Sequence, residues 1–452
     1  MEQLEQIISD ISNLVWGPPL LILLLGTHVF LTFRLRIIQR YLGKAIRLSL
    51  QRSTEGTGDV SQFGALTTAL AATIGTGNIV GVATAVASGG PGAVLWMWLT
   101  GVFGIATKYS EALLSVKYRV KTANGLMAGG PMYVLERGMN KKWLAITFAA
   151  LTAVSAFGIG NMVQANSISS LVQETFGIKT WITGIILTIL TAVVILGGIK
   201  SIAKVCEKLV PFMAIFYVCG CLVLLFLNWQ KVPDTFMLIL NSAFTGQAMV
   251  GGFLGAGMKE AIRYGIARGL FSNESGLGSA PIVAAAAQTK NPVRQALVSS
   301  TGTFWDTVVV CAITGLVLVN SGEWMTGAKG AALTKAAFAD IPVIGPIVLT
   351  IGLMTFVFST ILGWSYYGEK AAEYLWGSKA VQPYRWLWVG AVMIGSVLSL
   401  PLVWSLADIT NGLMAIPNLV SLLALQAVLV AETREYLWTG NLDKSAPDAD
   451  RV

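Results

Sequence analysis

Charged side chains are scarce in this sequence. Asp, Glu, Lys and Arg make up 12% of its 452 residues, whereas 54% are hydrophobic. Soluble domains carry about twice that share of charge, so the composition excludes a soluble globular protein. The mean hydropathy is +0.68. Because the apolar runs are long and do not alternate, the sequence predicts an all-α integral membrane protein and not a β-barrel.

Residues that support metal or nucleophilic chemistry are also few. His28 is the only histidine, and a single histidine can form neither a metal cluster nor a Ser–His pair. The cysteines show no disulfide or metal-binding spacing and are interpreted as small buried apolar residues. A Gly-Lys-Ser/Thr phosphate-binding sequence is absent, which argues against an ATP-driven pump. We therefore expect no enzymatic activity and no organic cofactor.

Basic residues are in excess, and the formal net charge is +8. They lie in short connections between apolar segments, which indicates membrane topology and not nucleic-acid binding. The odd-numbered connections are rich in Lys and Arg and the even-numbered ones are poor. This alternation predicts a lipid-embedded protein of the cell membrane with its N-terminus outside and its C-terminus in the cytoplasm. Eleven segments are near the ~20 residues that a span requires: 14–33, 63–88, 92–117, 144–171, 180–198, 205–228, 236–266, 295–319, 342–374, 385–403 and 407–432.

The segments after the first form two groups of five. An odd number of helices in each group makes the second group inverted relative to the first, and such repeats place a site at the midplane between interrupted helices. The predicted organisation is an extra helix and connection at 1–62, repeats at 63–228 and 229–432, and a cytoplasmic tail at 433–452.

The stretch ALAATIGTGNIVGVATAVASGGPG, residues 69–92, is apolar but has a polar, glycine-rich centre. Glycine weakens a helix, so Gly75 and Gly77 predict an interruption. Within a membrane, an opened helix is tolerated only where it is buried in protein or lines a cavity. We therefore predict a binding site for a small solute or ion at this break. The alternative is close helix packing, because Gly77 and Gly81 have the small-xxx-small spacing.

Unwinding would expose two kinds of backbone group at the break. Inward-facing carbonyl groups can coordinate a hard cation, and amides at the start of the next half-helix favour a carboxylate. The carbonyl groups predicted to bind the cation belong to Ala71, Thr73 and Ile74. The amides predicted to bind the carboxylate, and the side chain that adds a neutral oxygen, belong to Gly75, Thr76, Gly77 and Asn78.

The ninth segment carries adjacent hydroxyl groups in the sequence FVFSTILGWSYYGEK. Ser359 and Thr360 could complete an oxygen shell for sodium with the carbonyl groups of the break. Alternatively, they bond to carbonyl groups of their own helix. Trp364 follows within about one turn and is predicted to close a small pocket.

Asp306 lies well inside the eighth segment. A carboxylate there costs about 2.5–3.5 kcal/mol on insertion scales, so it normally faces a partner or a cavity. We interpret it as a cation ligand, with a structural ion pair as the alternative. Glu111 and Glu207 are nearer to segment ends and are predicted to be interfacial.

Two further groups complete the candidate site. Asn161 and Gln164 share a helix face and could contact substrate or form interhelical hydrogen bonds. The counterpart of the broken helix is predicted in the glycine-rich 236–266 segment, with its break at Gly251, Gly252 and Phe253. The sequence Ser272–Gly276 is the alternative position for that break.

Several long motifs closely resemble those of the alanine or glycine:cation symporter (AGCS) family. The resemblance implies a LeuT-type fold of five plus five inverted helices with one additional helix, here at the N-terminus. It also implies symport of alanine or glycine with sodium. The motifs are TIGTGNIVGVA, GGPGAVLWMWLTGVFG, GGPMY, GLFSNESGLGSAP and GWSYYGEKA, and they fall between about residues 60 and 375.

The resemblance also implies roles for individual residues. Thr73 and Asn78 would serve a sodium ion next to the substrate, whose carboxylate would bind at Gly75–Gly77. The carbonyl groups of Ala71 and Ile74 would form a second sodium site together with Ser359 and Thr360. Asp306 would reach the first sodium, with a carboxylate where related folds lead us to expect an amide.

The function predicted from the sequence is sodium-coupled import of small neutral amino acids, chiefly alanine and glycine, by alternating access. One alternative is proton-coupled transport that uses Asp306. A channel is the second alternative, and it would need a continuous polar path.

Overall fold

The computed structural model describes residues 2–51, 56–245, 257–398 and 401–446. These residues are almost entirely helical, with one two-stranded antiparallel hairpin formed by β1 (Val120–Lys121) and β2 (Met127–Ala128). Gly251, Gly252 and Phe253, where one helix break was predicted, lie outside the described residues.

The N-terminal half of the chain forms the following helices. They are α1 Glu2–Val15, α2 Pro18–Arg34, α3 Leu42–Ser49, α4 Gln62–Thr73, α5 Val80–Gly89, α6 Ala93–Lys117, α7 Pro131–Tyr133, α8 Lys142–Ser155, α9 Val163–Phe176, α10 Thr180–Ile195 and α11 Gly198–Leu227. Short 3-10 turns occupy Ile38–Tyr41, Thr76–Asn78 and Trp229–Lys231, and π-helical turns occupy Val134–Gly138 and Ala156–Met162.

The C-terminal half contains ten α-helices in its described residues. They are α12 Val232–Thr245, α13 Met258–Asn273, α14 Pro281–Ala284, α15 Pro292–Thr303, α16 Ala312–Ser321, α17 Gly330–Ala339, α18 Ile344–Trp376, α19 Val381–Val397, α20 Pro401–Ala424 and α21 Gln426–Thr433. A π-helical segment, Phe304–Cys311, joins α15 to α16. Another, Arg434–Trp438, follows α21, and 3-10 turns occupy Glu323–Thr326 and Ser378–Ala380.

Length and hydropathy identify the helices that can cross a bilayer. Among the described residues, six helices are long and apolar enough, and the bent pair α4 and α5 would be a seventh span. α13 begins at Met258, within the predicted 236–266 segment, and continues to Asn273. The helix that was predicted to break near Gly251 therefore extends further along the chain than the apolar pattern indicated.

Close approaches between helices set the geometry around the first break. α4 is capped at its N-terminus by Ser61, whose hydroxyl oxygen accepts the N–H of Gly64. Gly363 of α18 faces Ala72 so closely that a Cβ at Gly363 would lie 2.6 Å from the Ala72 nitrogen. A residue with a side chain would push the helices apart, so this glycine brings α18 against the end of α4.

Candidate substrate and ion site

The first break lies between α4 and α5, whose axes differ by 63°. α4 ends at Thr73 because Ile74 and Gly75 adopt non-helical backbone angles. A 3-10 turn, Thr76–Asn78, then leads into α5. The interruption predicted from Gly75 and Gly77 is confirmed.

The side chain of Asn78 stabilises this break. Its Oδ1 accepts the N–H of Gly75 over 2.8 Å, and its Nδ2 donates to Oδ1 of Asp306 over 2.7 Å. The predicted neutral oxygen of Asn78 thus binds the backbone of the break itself. Gly77 packs close to Ser272, whose Cα would lie 3.4 Å from a Cβ at Gly77. A Cβ there would make an ordinary van der Waals contact, so close packing does not require a glycine at this position.

Hydroxyl groups of α18 face the carbonyl groups at the end of α4. Ser359 Oγ donates to the carbonyl oxygen of Ala71 over 3.1 Å, and Thr360 Oγ1 lies 3.4 Å from that of Ile74. Both hydroxyl groups also lie within hydrogen-bonding distance of the Phe356 carbonyl on their own helix. The two carbonyl oxygens and two hydroxyl oxygens that were predicted to bind sodium together, from segments far apart in sequence, are therefore adjacent.

Asp306 is fully buried in the π-helical segment and is surrounded by neutral donors. Besides Asn78, Ser272 Oγ donates to its Oδ2 over 3.0 Å and Thr307 Oγ1 over 2.7 Å. Cys311 Sγ completes the cluster, at 3.3 Å from Asn78 Nδ2. No Lys, Arg or His of the described chain forms an ion pair with Asp306, so the predicted alternative of a structural ion pair is wrong for these residues.

A second break follows α13, which ends where Glu274 adopts a left-handed backbone with φ of 55°. The chain is non-helical until α14 begins at Pro281. The Ser272–Gly276 sequence, which was the alternative position, begins in the last turn of α13 and continues into this break. Ser272 connects it to the first break, because its hydroxyl reaches the same Asp306 carboxylate as Asn78.

Glu111 of α6 binds the exposed backbone of the second break. Its Oε1 accepts the N–H groups of Gly276 and Gly278 over 3.0 and 3.1 Å. Asn418 of α20 donates to the same oxygen over 2.7 Å. The prediction that Glu111 is interfacial is wrong, because only 2% of it is exposed. Its position near a segment end indicated an interface, but packing against the break buries it.

Trp364 of α18 also contacts the second break. Its indole Nε1 donates to Oε1 of Glu274 over 3.0 Å. On the other side, Trp364 packs on Gly160, where a Cβ would lie 2.2 Å from the Trp364 Cβ. Trp364 is fully buried, so it fills the space between the second break and the π-helical turn Ala156–Met162.

Asn161 and Gln164 bind backbone groups of the scaffold. Asn161 Nδ2 donates to the carbonyl oxygen of Trp388 in α19 over 2.9 Å, which is the interhelical bond that the sequence left open. Gln164 Nε2 donates to the Ile159 carbonyl oxygen of the π-helical turn over 2.9 Å. The side-chain oxygens of both residues are buried without a hydrogen-bond partner.

Connections far apart in sequence form one layer at an end of the helices. Residues 57–60 pair with residues 286–289, including a 2.7 Å bond from Gln288 N to the Val60 carbonyl oxygen. Arg119 donates to carbonyl groups of both segments, those of Thr57 and Ala287. Gly58 is needed here, because its φ is +156° and a Cβ would lie 2.4 Å from Ala287 backbone atoms.

Comparison with known proteins identifies the family of this chain. The model of the sodium:alanine symporter family matches residues 1–449. The chain belongs to the sodium:alanine symporter family. It is 52% identical over 441 residues to the sodium/alanine symporter AgcS of Methanococcus maripaludis, covering 95% of this chain and 96% of the relative. It is also 54% identical over 438 residues to an uncharacterised transporter of Haemophilus influenzae, covering 96% of each.

Family membership confirms that the chain is a multi-pass membrane transporter and not an enzyme. Its fold is also similar to a solved structure, that of MhsT in complex with L-phenylalanine. The TM-score is 0.59 at 13% sequence identity, over 85% of this chain and 95% of MhsT. At this identity the likeness concerns the fold alone, and it agrees with the LeuT-type architecture that the resemblance implied.

Proposed function

We propose that this member of the sodium:alanine symporter family imports alanine and glycine together with sodium by alternating access. The observation that supports this most directly is the meeting of two broken helices at one buried carboxylate. Asn78 from the first break and Ser272 from the second both bind Asp306. Interrupted helices that face each other at such a point are the usual substrate and ion sites of secondary transporters.

The two kinds of group at the first break match the two transported species, sodium and the amino acid. The carbonyl groups of Ala71 and Ile74 and the hydroxyl groups of Ser359 and Thr360 offer oxygen ligands to a sodium ion. The N–H of Gly75 is bound by Asn78 in this structure, so a substrate carboxylate would bind the amides of Thr76 and Gly77 in the turn before α5. Asp306 supplies the negative charge for a sodium ion beside Asn78. Thr73 is the predicted further ligand, and its hydroxyl would have to leave the carbonyl group of Ala69, to which it donates over 3.2 Å.

Coupling to one sodium ion provides enough free energy to accumulate the amino acid inside the cell. One sodium ion that moves inward contributes about 2.3 kcal/mol per 100 mV of membrane potential. A tenfold sodium gradient adds about 1.4 kcal/mol. The sum of about 3.7 kcal/mol corresponds to roughly 500-fold accumulation of the amino acid per coupled ion.

The layered connections support the predicted orientation and topology. Segments 57–60 and 286–289, together with Arg119 and the tail, all belong to connections assigned to the cytoplasmic side, and they contact one another. Asn291 donates to the carbonyl oxygens of Leu442 and Lys444 in that tail. We propose that this layer closes the inner side, that the N-terminus is outside, and that eleven spans form the five-plus-five inverted repeat.

The test is uptake of labelled alanine by the purified chain in liposomes. We expect saturable uptake that is driven by an inward sodium gradient, competed by glycine and weakly affected by larger amino acids. Uptake without saturation and without sodium dependence would instead indicate a channel.

Proton coupling through Asp306 is tested with Asp306→Asn. For sodium coupling, this variant should show weaker sodium activation at every pH, because the charge that attracts the ion is lost. Uptake by the unaltered chain that follows a proton gradient in the absence of sodium, and that disappears in the variant, would favour the proton.

A further inference from the structure

Lys108 is a cation buried in the middle of α6. Only 4% of it is exposed, and its Nζ has no hydrogen-bond acceptor among the described residues. Charged side chains within a membrane span normally face a partner or a cavity, because isolation in a low-dielectric interior is costly. On the same helix, Lys117 satisfies this rule with an ion pair to Glu432. Lys108 therefore needs another explanation.

A small internal cavity adjoins Lys108. Its volume is about 10 Å³, and it is lined also by Thr73, Asn273, Ser299 and Gly302. Asn273 Nδ2 is a second buried donor without an acceptor. The cavity thus carries free donors from two elements, and it is about large enough for one water-sized group such as an ammonium.

The cavity lies beside the Asp306 cluster. Gly302 is four residues before Asp306 in one continuous helical span, so the two positions are separated by roughly 6 Å along the axis. Asn273 directly follows Ser272, which donates to Asp306. Glu111, Glu274 and Asp306 are buried carboxylates of this region, and Glu111 lies three residues after Lys108 on α6. None of the three forms an ion pair with Lys108 among the ion pairs of the described residues.

We propose that Lys108 is a built-in cation that competes with sodium for the electrostatic field of Asp306. When sodium leaves toward the cytoplasm, the Lys108 ammonium moves through the cavity toward Asp306 and neutralises it, so that the carrier can return without cargo. When sodium binds, the ammonium withdraws to the position seen in this structure. The inference rests on the proposed sodium symport and adds the step that resets the carrier.

Loss of the Lys108 charge should affect net uptake and alanine exchange differently. Net uptake requires return of the empty carrier, and exchange of internal for external alanine does not. Removal of the Lys108 charge should therefore block net uptake while exchange continues. It should also tighten sodium binding, because a competing positive charge is gone.

The experiment compares Lys108→Met with the unaltered chain in liposomes. Methionine keeps most of the side-chain length without the charge. We expect sodium-driven net uptake to fall about tenfold or more, and the sodium dissociation constant to fall within the roughly 5- to 150-fold range of typical site couplings. Counterflow exchange, with equal sodium and alanine on both sides, should stay within about twofold.

Lys117→Met is the matched control, because it removes a lysine from the same helix away from the cavity. It should leave the ratio of net uptake to exchange unchanged. Lys108→Gln provides a second variant of different shape, and it should likewise lose net uptake while exchange continues.

Parallel loss of net uptake and exchange, or no change in either, would overturn the proposal. Failure of both Lys108 variants to give folded protein would assign the residue to structure and overturn it as well. Absence of sodium-dependent uptake in the unaltered chain would instead refute the proposed function itself.

Discussion

The Asn78 amide binds the Asp306 carboxylate over 2.7 Å, across 228 residues of sequence. The same side chain binds Gly75 N of the first break. One amide therefore connects the backbone that was predicted to receive a substrate carboxylate with the carboxylate that was predicted to attract sodium.

Asn78→Ala should impair coupling strongly. It leaves the Gly75 N–H and the Oδ1 atom of Asp306 without the partner that Asn78 supplies, although Ser272 and Thr307 still donate to Oδ2. A buried unsatisfied group costs about 1–3 kcal/mol. We expect sodium-dependent uptake to fall by roughly 10- to 100-fold. Asn320→Ala is the control, because Asn320 is also buried but binds Thr235 in a different region. Initial rates over a sodium titration measure both variants, and an unchanged sodium response in Asn78→Ala would contradict the assignment.

Ser359 and Thr360 should affect sodium binding, whereas other hydroxyl groups on α18 should not. Ser359→Ala and Thr360→Val remove oxygens that face Ala71 and Ile74. Each should weaken sodium binding by about tenfold, the equivalent of roughly 1.4 kcal/mol.

Ser365→Ala provides the matched control for these variants. Ser365 is buried on α18, but among the described residues its hydroxyl bonds only to the Leu362 carbonyl of the same helix. Its sodium affinity should be unchanged in equilibrium binding. Equal effects of Ser359→Ala and Ser365→Ala would show that the loss comes from the helix and not from an ion site.

Gly160→Ala should disturb the pocket through Trp364. The added Cβ would lie 2.2 Å from that of Trp364, so the indole must shift away from Glu274. Overpacking of this kind costs about 1–3 kcal/mol. We expect a lower melting temperature and slower alanine uptake. Gly390→Ala on α19 meets no atom within 4 Å, and it should retain both properties. Normal uptake and stability in Gly160→Ala would mean that Trp364 has space to move.

Glu111 should be essential for the second break. Glu111→Ala removes an acceptor from Gly276 N, Gly278 N and Asn418 at once. Breaking a buried charged interaction by removing one partner costs about 3–5 kcal/mol, so we expect poor folding in a thermal-unfolding assay. Glu111→Gln keeps one oxygen acceptor and should recover part of the stability. Equal stability of the two variants would rule out the capping role.

Local signals in the sequence were sufficient for the first break. Gly75 and Gly77 interrupt an otherwise apolar helix, and the break occurs there. The facing hydroxyl groups of Ser359 and Thr360 were also predictable, because adjacent hydroxyl groups are conspicuous in an apolar helix. Their contact with Ala71 and Ile74 is a tertiary fact that the resemblance supplied.

The second break was harder to predict because its signals are not local. Glu274 ends α13 in a left-handed conformation beyond the apolar run, and its stability depends on Glu111 and Trp364 from other helices. A carboxylate near a segment end is ordinarily interfacial, so no sequence pattern indicated that Glu111 is buried. Lys108 carried the clearest missed signal, a lysine inside a long apolar segment.

α18 contacts both breaks from a single rigid helix of 33 residues. Thr360 faces the first break and Trp364 the second, and four residues of helix correspond to about 6 Å along the axis. α18 therefore holds its contacts with the first and second breaks at a fixed distance from each other. The breaks cannot change their spacing while both contacts persist, so in the proposed transport cycle the hydroxyl contact or the indole contact would have to be released first. The order of that release would decide whether the ion or the amino acid departs ahead of the other.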